Sequence, residues 1–169
     1  MAKTYEMIAT QTISSNTTTV TFSSIPNTYT DLKMVMYGPG DNYFLVRFNG
    51  DTSTNYSYIS LNAITYSGAA TASERGTGQT SIMGGKPDYG LGVGKPSIFV
   101  VDVFSYAGST TKSCLITGTS QYTSGGFLNK NVGLWRSTSA ITSLVLDAGG
   151  AGQSFKATCT FSLYGIQKA

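Results

Sequence analysis

The chain has 169 residues, of which 11% are charged, and a formal net charge of +3; it is long enough to bury one core and too short for two full ones. Its 11 Lys and Arg residues are scattered singly, which excludes the concentrated basic stripe that nucleic-acid binding requires. It contains no histidine, so the commonest general base near neutral pH and the commonest imidazole metal ligand are both absent, and most hydrolase and zinc constellations go with them.

In chain order, the dominant pattern is a period of two interrupted by Gly, Asn, Asp, Ser or Pro. A first strand is predicted near 4–12. Val20 and Phe22 then alternate with Thr19 and Thr21, and Leu32, Met34 and Met36 alternate with Lys33 and Val35. Phe44, Val46 and Phe48 alternate with Leu45 and Arg47. Each of these reads as a strand with one buried face. The stretch RFNGDTSTNYSY follows, with Asn49-Gly50 where the chain must reverse, because both residues accept positive φ. It lacks the Asp-x-Asp-x-Asp-Gly spacing and distal Glu of a calcium loop and reads as a turn, with Asp51 and Asn55 capping its amides.

Further strands are predicted near 56–65, 78–83, 112–118, 131–136 and 140–146. Between them, roughly residues 66–95 form a Gly-rich excursion containing Lys86-Pro87 and Lys95-Pro96, read as a long loop. Ile98-Phe99-Val100-Val101-Asp102-Val103-Phe104 is apolar on both faces, which suits a central strand or an edge shared with another subunit. Phe155, Ala157, Cys159, Phe161 and Leu163 alternate with polar residues and make the clearest strand. No window longer than ten residues holds a helical stripe. The fold class is therefore all-β, a single antiparallel β-sandwich domain over 1–169, jelly-roll-like, with a barrel as the alternative.

Candidate chemistry is sparse. The segment from Gly90 to Ser97, GLGVGKPS, has Tyr89 where a phosphate loop needs its first Gly and Pro96 where it needs Ser or Thr. Cys114 and Cys159 both fall on predicted strands; with no export signal they are expected as buried free thiols. The 8 carboxylates stand at least ten residues apart and carry no acid/base motif. No catalytic, cofactor-binding or metal-binding residue and no cofactor is assigned, and no enzyme is expected. The 11 tyrosines and Trp135 suit sugar stacking or a protein interface where they are exposed, and core filling where they are not. The N-terminus has no apolar run of signal-peptide length, and no segment reaches the ~20 apolar residues of a membrane span, so a soluble protein with no membrane partner is expected.

Tyr5 to Thr10, Val20 to Pro26 with Tyr29 to Leu32, RFNGDTSTNYSY, Gly133 to Ser137 with Ala140 to Thr142, and the closing Phe161 to Ile166 together resemble small structural proteins and tail-fibre modules of tailed bacteriophages, cyanophages among them. The resemblance spans nearly the whole chain and is weakest over 66–112. It implies a non-catalytic virion protein, β-sandwich in fold and homotrimeric, synthesised in the host cytoplasm. Two functions follow from it. One is a capsid cement or decoration protein docked on the major capsid protein or other virion proteins, with 66–95 and the arm Met1 to Thr4 as contacts. The other is a tail-fibre or receptor-binding module contacting host glycans. No fibrous segment precedes Tyr5, which favours decoration.

Overall fold

Two antiparallel sheets face each other in the computed structural model, which describes residues 4–40, 43–65, 70–84, 95–122 and 125–167. The strands are β1 (Tyr5–Thr12), β2 (Thr19–Phe22), β3 (Asp31–Gly40), β4 (Phe44–Phe48), β5 (Tyr56–Ile64) and β6 (Ala70–Gln79). They continue with β7 (Ile82–Met83), β8 (Lys95–Phe104), β9 (Lys112–Tyr122), β10 (Gly125–Trp135), β11 (Leu144–Ala148) and β12 (Thr160–Ile166). One sheet has eight strands in the order β1-β12-β3-β8-β9-β10-β5-β6, and the other has four in the order β2-β11-β4-β7. The fold is an all-antiparallel β-sandwich with jelly-roll-like topology.

The period-two reading sets the core. Leu32, Met34 and Met36 of β3, Phe99, Val101 and Val103 of β8, and Phe161 and Leu163 of β12 point inward and are buried. They meet Val20, Phe22, Phe44, Val46, Phe48, Leu144 and Leu146 from the smaller sheet. Phe99 crosses the gap to Phe44, edge to face at 5.1 Å between ring centroids. Because side chains alternate faces along a strand, each of these rows leaves a second row pointing away from the sandwich.

Three strands differ from the sequence reading in extent, since that predicted at 112–118 continues to Tyr122, that at 131–136 begins at Gly125, and that at 78–83 is divided between the end of β6 and β7. Four further elements also differ. The turn at Asn49-Gly50 has the expected positive φ, 54° and 64°, but it joins β4 of the small sheet to β5 of the large one. It is a crossover between sheets, not a hairpin. The predicted long loop over 66–95 contains the ten-residue β6 and the short β7. β6 is an edge strand exposed along most of its length, so its Ser, Thr, Ala and Gly need no apolar alternation. The strand predicted at 140–146 begins at Leu144, because the Asn49 side chain accepts from the amides of Thr142 and Ser143 and donates to the Ala140 carbonyl, holding that segment out of the ladder. The last strand begins at Thr160 rather than Phe155: Thr158 has φ of 74°, and Phe155 makes an isolated bridge to Thr17. Residues 1–3 and 85–94, including Lys86-Pro87 and most of GLGVGKPS, lie outside the described residues.

Lys112 is a fully buried cation whose Nζ donates to the carbonyl oxygens of Gly108, Thr110 and Thr138, closing the 105–111 turn onto β9. Cys114 and Cys159 are free and buried. Burial pushes the Cys114 thiol up to about 12 and raises that of Cys159. Both thiols are therefore unreactive in the native state. Titration with a thiol reagent should find almost none in the folded protein and 2 after denaturation, the full cysteine content; finding none in denaturant would mean a disulfide.

Candidate functional site on the outer face of the eight-stranded sheet

The outward rows of the large sheet form a broad and mostly uncharged surface. On β10, Leu128, Lys130, Val132 and Leu134 point out, while Phe127, Asn129, Asn131 and Trp135 point in. β5 repeats this inversion, with Ile59 and Leu61 outward and Ser60 and Asn62 inward. The inward amides are bonded together: Asn129 Nδ2 donates to Ser60 Oγ, Asn62 Oδ1 and Asn131 Oδ1, and Asn131 Nδ2 donates to the Met83 carbonyl at 2.6 Å. Buried amides are costly unless hydrogen-bonded, and exposed aliphatics gain nothing from water. Over the middle of these two strands the ordinary arrangement is therefore reversed, while Tyr56, Ile64, Phe127 and Trp135 at their ends are buried in the ordinary way.

Cross-strand register joins the outward side chains into a patch. Val132 sits opposite Ile59 on one side and Leu115 on the other, and Lys130 lies opposite Leu61. Ile59, Leu61, Leu128 and Val132 are 59%, 56%, 54% and 56% exposed. A shallow depression of about 480 Å³ lies among Leu61, Ala63, Thr71, Ser73, Leu128 and Lys130.

A second depression, of about 320 Å³, lies on the same face toward β3. Tyr37 lines it at 57% exposure, together with Ile98, Ser97, Thr119 and Gln121. An exposed aromatic ring, the Thr119 hydroxyl and the Gln121 carboxamide border it, while the Ser97 hydroxyl is buried beneath. The doubly apolar run Ile98 to Phe104 is the inward core of β8 on one side; on the other, Ile98 and Phe104 are exposed and Asp102 is paired with Lys33 at 2.6 Å.

The aromatic residues divide accordingly. Trp135, a candidate for an exposed stacking surface, is buried and stacked on Tyr56 at 6.3 Å, with Phe48 at 5.7 Å. Tyr56 and Tyr106 are also core residues, whereas Tyr5 and Tyr37 are exposed. In the RFNGDTSTNYSY turn, Asp51 is fully engaged within the protein. Its Oδ1 accepts from the backbone amide and hydroxyl of Ser53, and its Oδ2 accepts from Asn55 Nδ2 at 3.0 Å and Trp135 Nε1 at 2.7 Å. These bonds hold its carboxyl well below the ordinary carboxylate range, with the Ser53 hydroxyl contributing most. Among the described residues, no three His, Cys, Asp or Glu side chains cluster in a way that could hold a metal ion. No helix among them is long and apolar enough to cross a membrane.

No family model and no curated protein matches the chain. Among solved structures, a tetrameric galectin from the ball sponge Cinachyrella sp. is similar at 10% identity and a TM-score of 0.38, covering 88% of this chain and 99% of that one. The metal-free lectin I-B4 of Griffonia simplicifolia is similar at 9% identity and a TM-score of 0.22, covering 85% and 77%. The CBM2 module of the evolved Dit protein of Lactobacillus casei BL23 phage J-1 is similar at 9% identity and a TM-score of 0.20, covering 89% and 69%. At such scores none of the three identifies a ligand, a partner or an assembly for this chain.

Proposed function

We propose that the protein is a non-catalytic binding module of a bacteriophage particle that recognises host-surface glycans at the Tyr37 depression. The observation that supports this reading is the chemistry of that depression. An aromatic face can stack on the C–H side of a sugar ring, and Thr119 and Gln121 offer neutral donors and acceptors beside it. Its volume falls at the lower end of the range for small-ligand sites. The resemblance of the N-terminal, RFNGDTSTNYSY and C-terminal motifs to phage structural and tail-fibre modules supplies the virion setting.

Binding of the isolated protein to a glycan array is the direct test, paired with competition for phage adsorption by the free protein. Tyr37→Ala should weaken glycan binding at least tenfold with little change in thermal midpoint, because the ring is exposed. No glycan binding together with no effect on adsorption would reject the reading. A second reading, decoration of the capsid shell, is favoured by the aliphatic face, since Leu, Ile and Val suit packing against protein better than against sugar. In that case, labelling would place the protein on the shell, and its removal would lower the particle's heat resistance without affecting adsorption.

A further inference from the structure

We infer that the aliphatic part of the outer face is an isologous interface, covered by the same five strands of a second copy of this chain. The exposed portions of Ile59, Leu61, Leu128, Val132 and Leu134 amount to on the order of 500 Å² of apolar surface, as large as the largest patch on a typical monomer. With the flanking Thr and Ser side chains of β6 and β9, the region reaches the ~800 Å² per partner of a standard interface. The inward asparagines of β5 and β10 fit the same picture: at mid-strand the inner rows carry Ser60, Asn62, Asn129 and Asn131, while the outer rows carry Ile59, Leu61, Leu128 and Val132.

The register makes the face self-complementary. One row runs across five neighbouring strands as Asp102 of β8, Leu115 of β9, Val132 of β10, Ile59 of β5 and Arg75 of β6. Acid and base stand two strands, roughly 10 Å, on either side of Val132. A two-fold axis parallel to β10 and passing over Val132 therefore sets Arg75 of each copy against Asp102 of the other, and Ile59 against Leu115. Two sheets packed in this way are aligned to within about 30°, an offset that the length of an arginine side chain spans. The same axis brings Lys130 close to its own counterpart, and it sets Arg75 beside Lys33 of the other copy, which is paired with Asp102 at 2.6 Å, so that each Asp102 is shared between two cations. β3 with Tyr37, β12 and β1 lie outside the five stacked strands, whereas Ile98, Thr119 and Gln121 of the Tyr37 depression lie on β8 and β9, within them, so a second copy would cover part of that depression and compete with glycan there. The trimer implied by the phage resemblance would need a heterologous contact instead.

Sedimentation velocity from about 1 to 100 μM, a range covering ordinary interface dissociation constants, should show a dimer or a higher even-numbered assembly. Val132→Lys should weaken association at least a hundredfold and Arg75→Glu about tenfold, while Lys130→Met should tighten it several-fold. Thr21→Glu, on the outer side of the smaller sheet, should leave it unchanged. All four positions except Lys130 and Arg75 are uncharged, and all are exposed, so the thermal midpoint of the monomer serves as the folding control. A wild-type monomer at ~100 μM, a trimer, or a Val132→Lys protein that associates like wild type would each overturn the inference.

Discussion

Replacing Asp51 by alanine should destabilise the protein by about 2–4 kcal/mol, on the scale of losing hydrogen bonds to a charged group and leaving a buried donor unmatched. For a domain of this size that corresponds to a fall in thermal midpoint of about 5–15 °C. The carboxylate gathers donors from three residues in two parts of the chain: Ser53 and Asn55 in its own turn, and the indole of Trp135 at the end of β10. Without it, Trp135 Nε1 is left facing a hole in the aromatic cluster with Tyr56 and Phe48. The effect also has a pH signature. Because the folded-state carboxyl titrates below its unfolded value, the stability it contributes is complete above the ordinary Asp range and is lost as pH falls below about 4. The gap between wild type and Asp51→Ala should therefore narrow on acidification. Asp51→Asn keeps one acceptor but turns an NH2 group toward other donors, so it should recover only part of the loss. A gap that stays constant from pH 7 to pH 3, or a loss under ~1 kcal/mol, would show that Asp51 is an ordinary turn residue.

The positions read correctly from sequence share one property: their patterns are local. Phe44, Val46 and Phe48, or Phe161 and Leu163, alternate with polar neighbours, and a strand with one buried face follows from spacing alone. The Asn49-Gly50 turn was legible for the same reason. β6 was not, because an edge strand with one neighbour and a solvent-facing side needs no apolar alternation, and its Gly and Ser residues imitate a loop. For Trp135 the sequence allows both core and surface, because its partner Asp51 lies 84 residues away in sequence. The outer face was half visible. The run Ile98 to Phe104 announces two apolar sides, and one of them is indeed exposed. On β10 both parities carry large apolar residues, Phe127 and Trp135 on one and Leu128, Val132 and Leu134 on the other. Only the tertiary structure decides which side takes the asparagines, because Asn129 and Asn131 find their partners on β5 and at Met83.

The most damaging single substitution should be at Gly118, on the inward face of β9 opposite Phe99 of β8. A Cβ at this position would lie 2.0 Å from Phe99 Cδ1 and 2.1 Å from Cε1, well inside any real contact. The ring cannot simply rotate away, since it is fully buried and its edge-to-face contact with Phe44 links the two sheets. Gly118→Val must therefore displace Phe99 and with it the Phe44 contact, at a cost at or above the ~3 kcal/mol upper end of ordinary overpacking. Urea denaturation should show this as a lower midpoint or as failure to fold. The smaller Gly118→Ala keeps the experiment readable if valine abolishes folding. The mechanism predicts strong coupling: in Phe99→Ala the space above Gly118 is open, so adding Gly118→Ala should cost far less than it does in wild type, a non-additivity of at least ~1 kcal/mol. Additive losses would mean that the damage comes from β9 itself rather than from the ring above it.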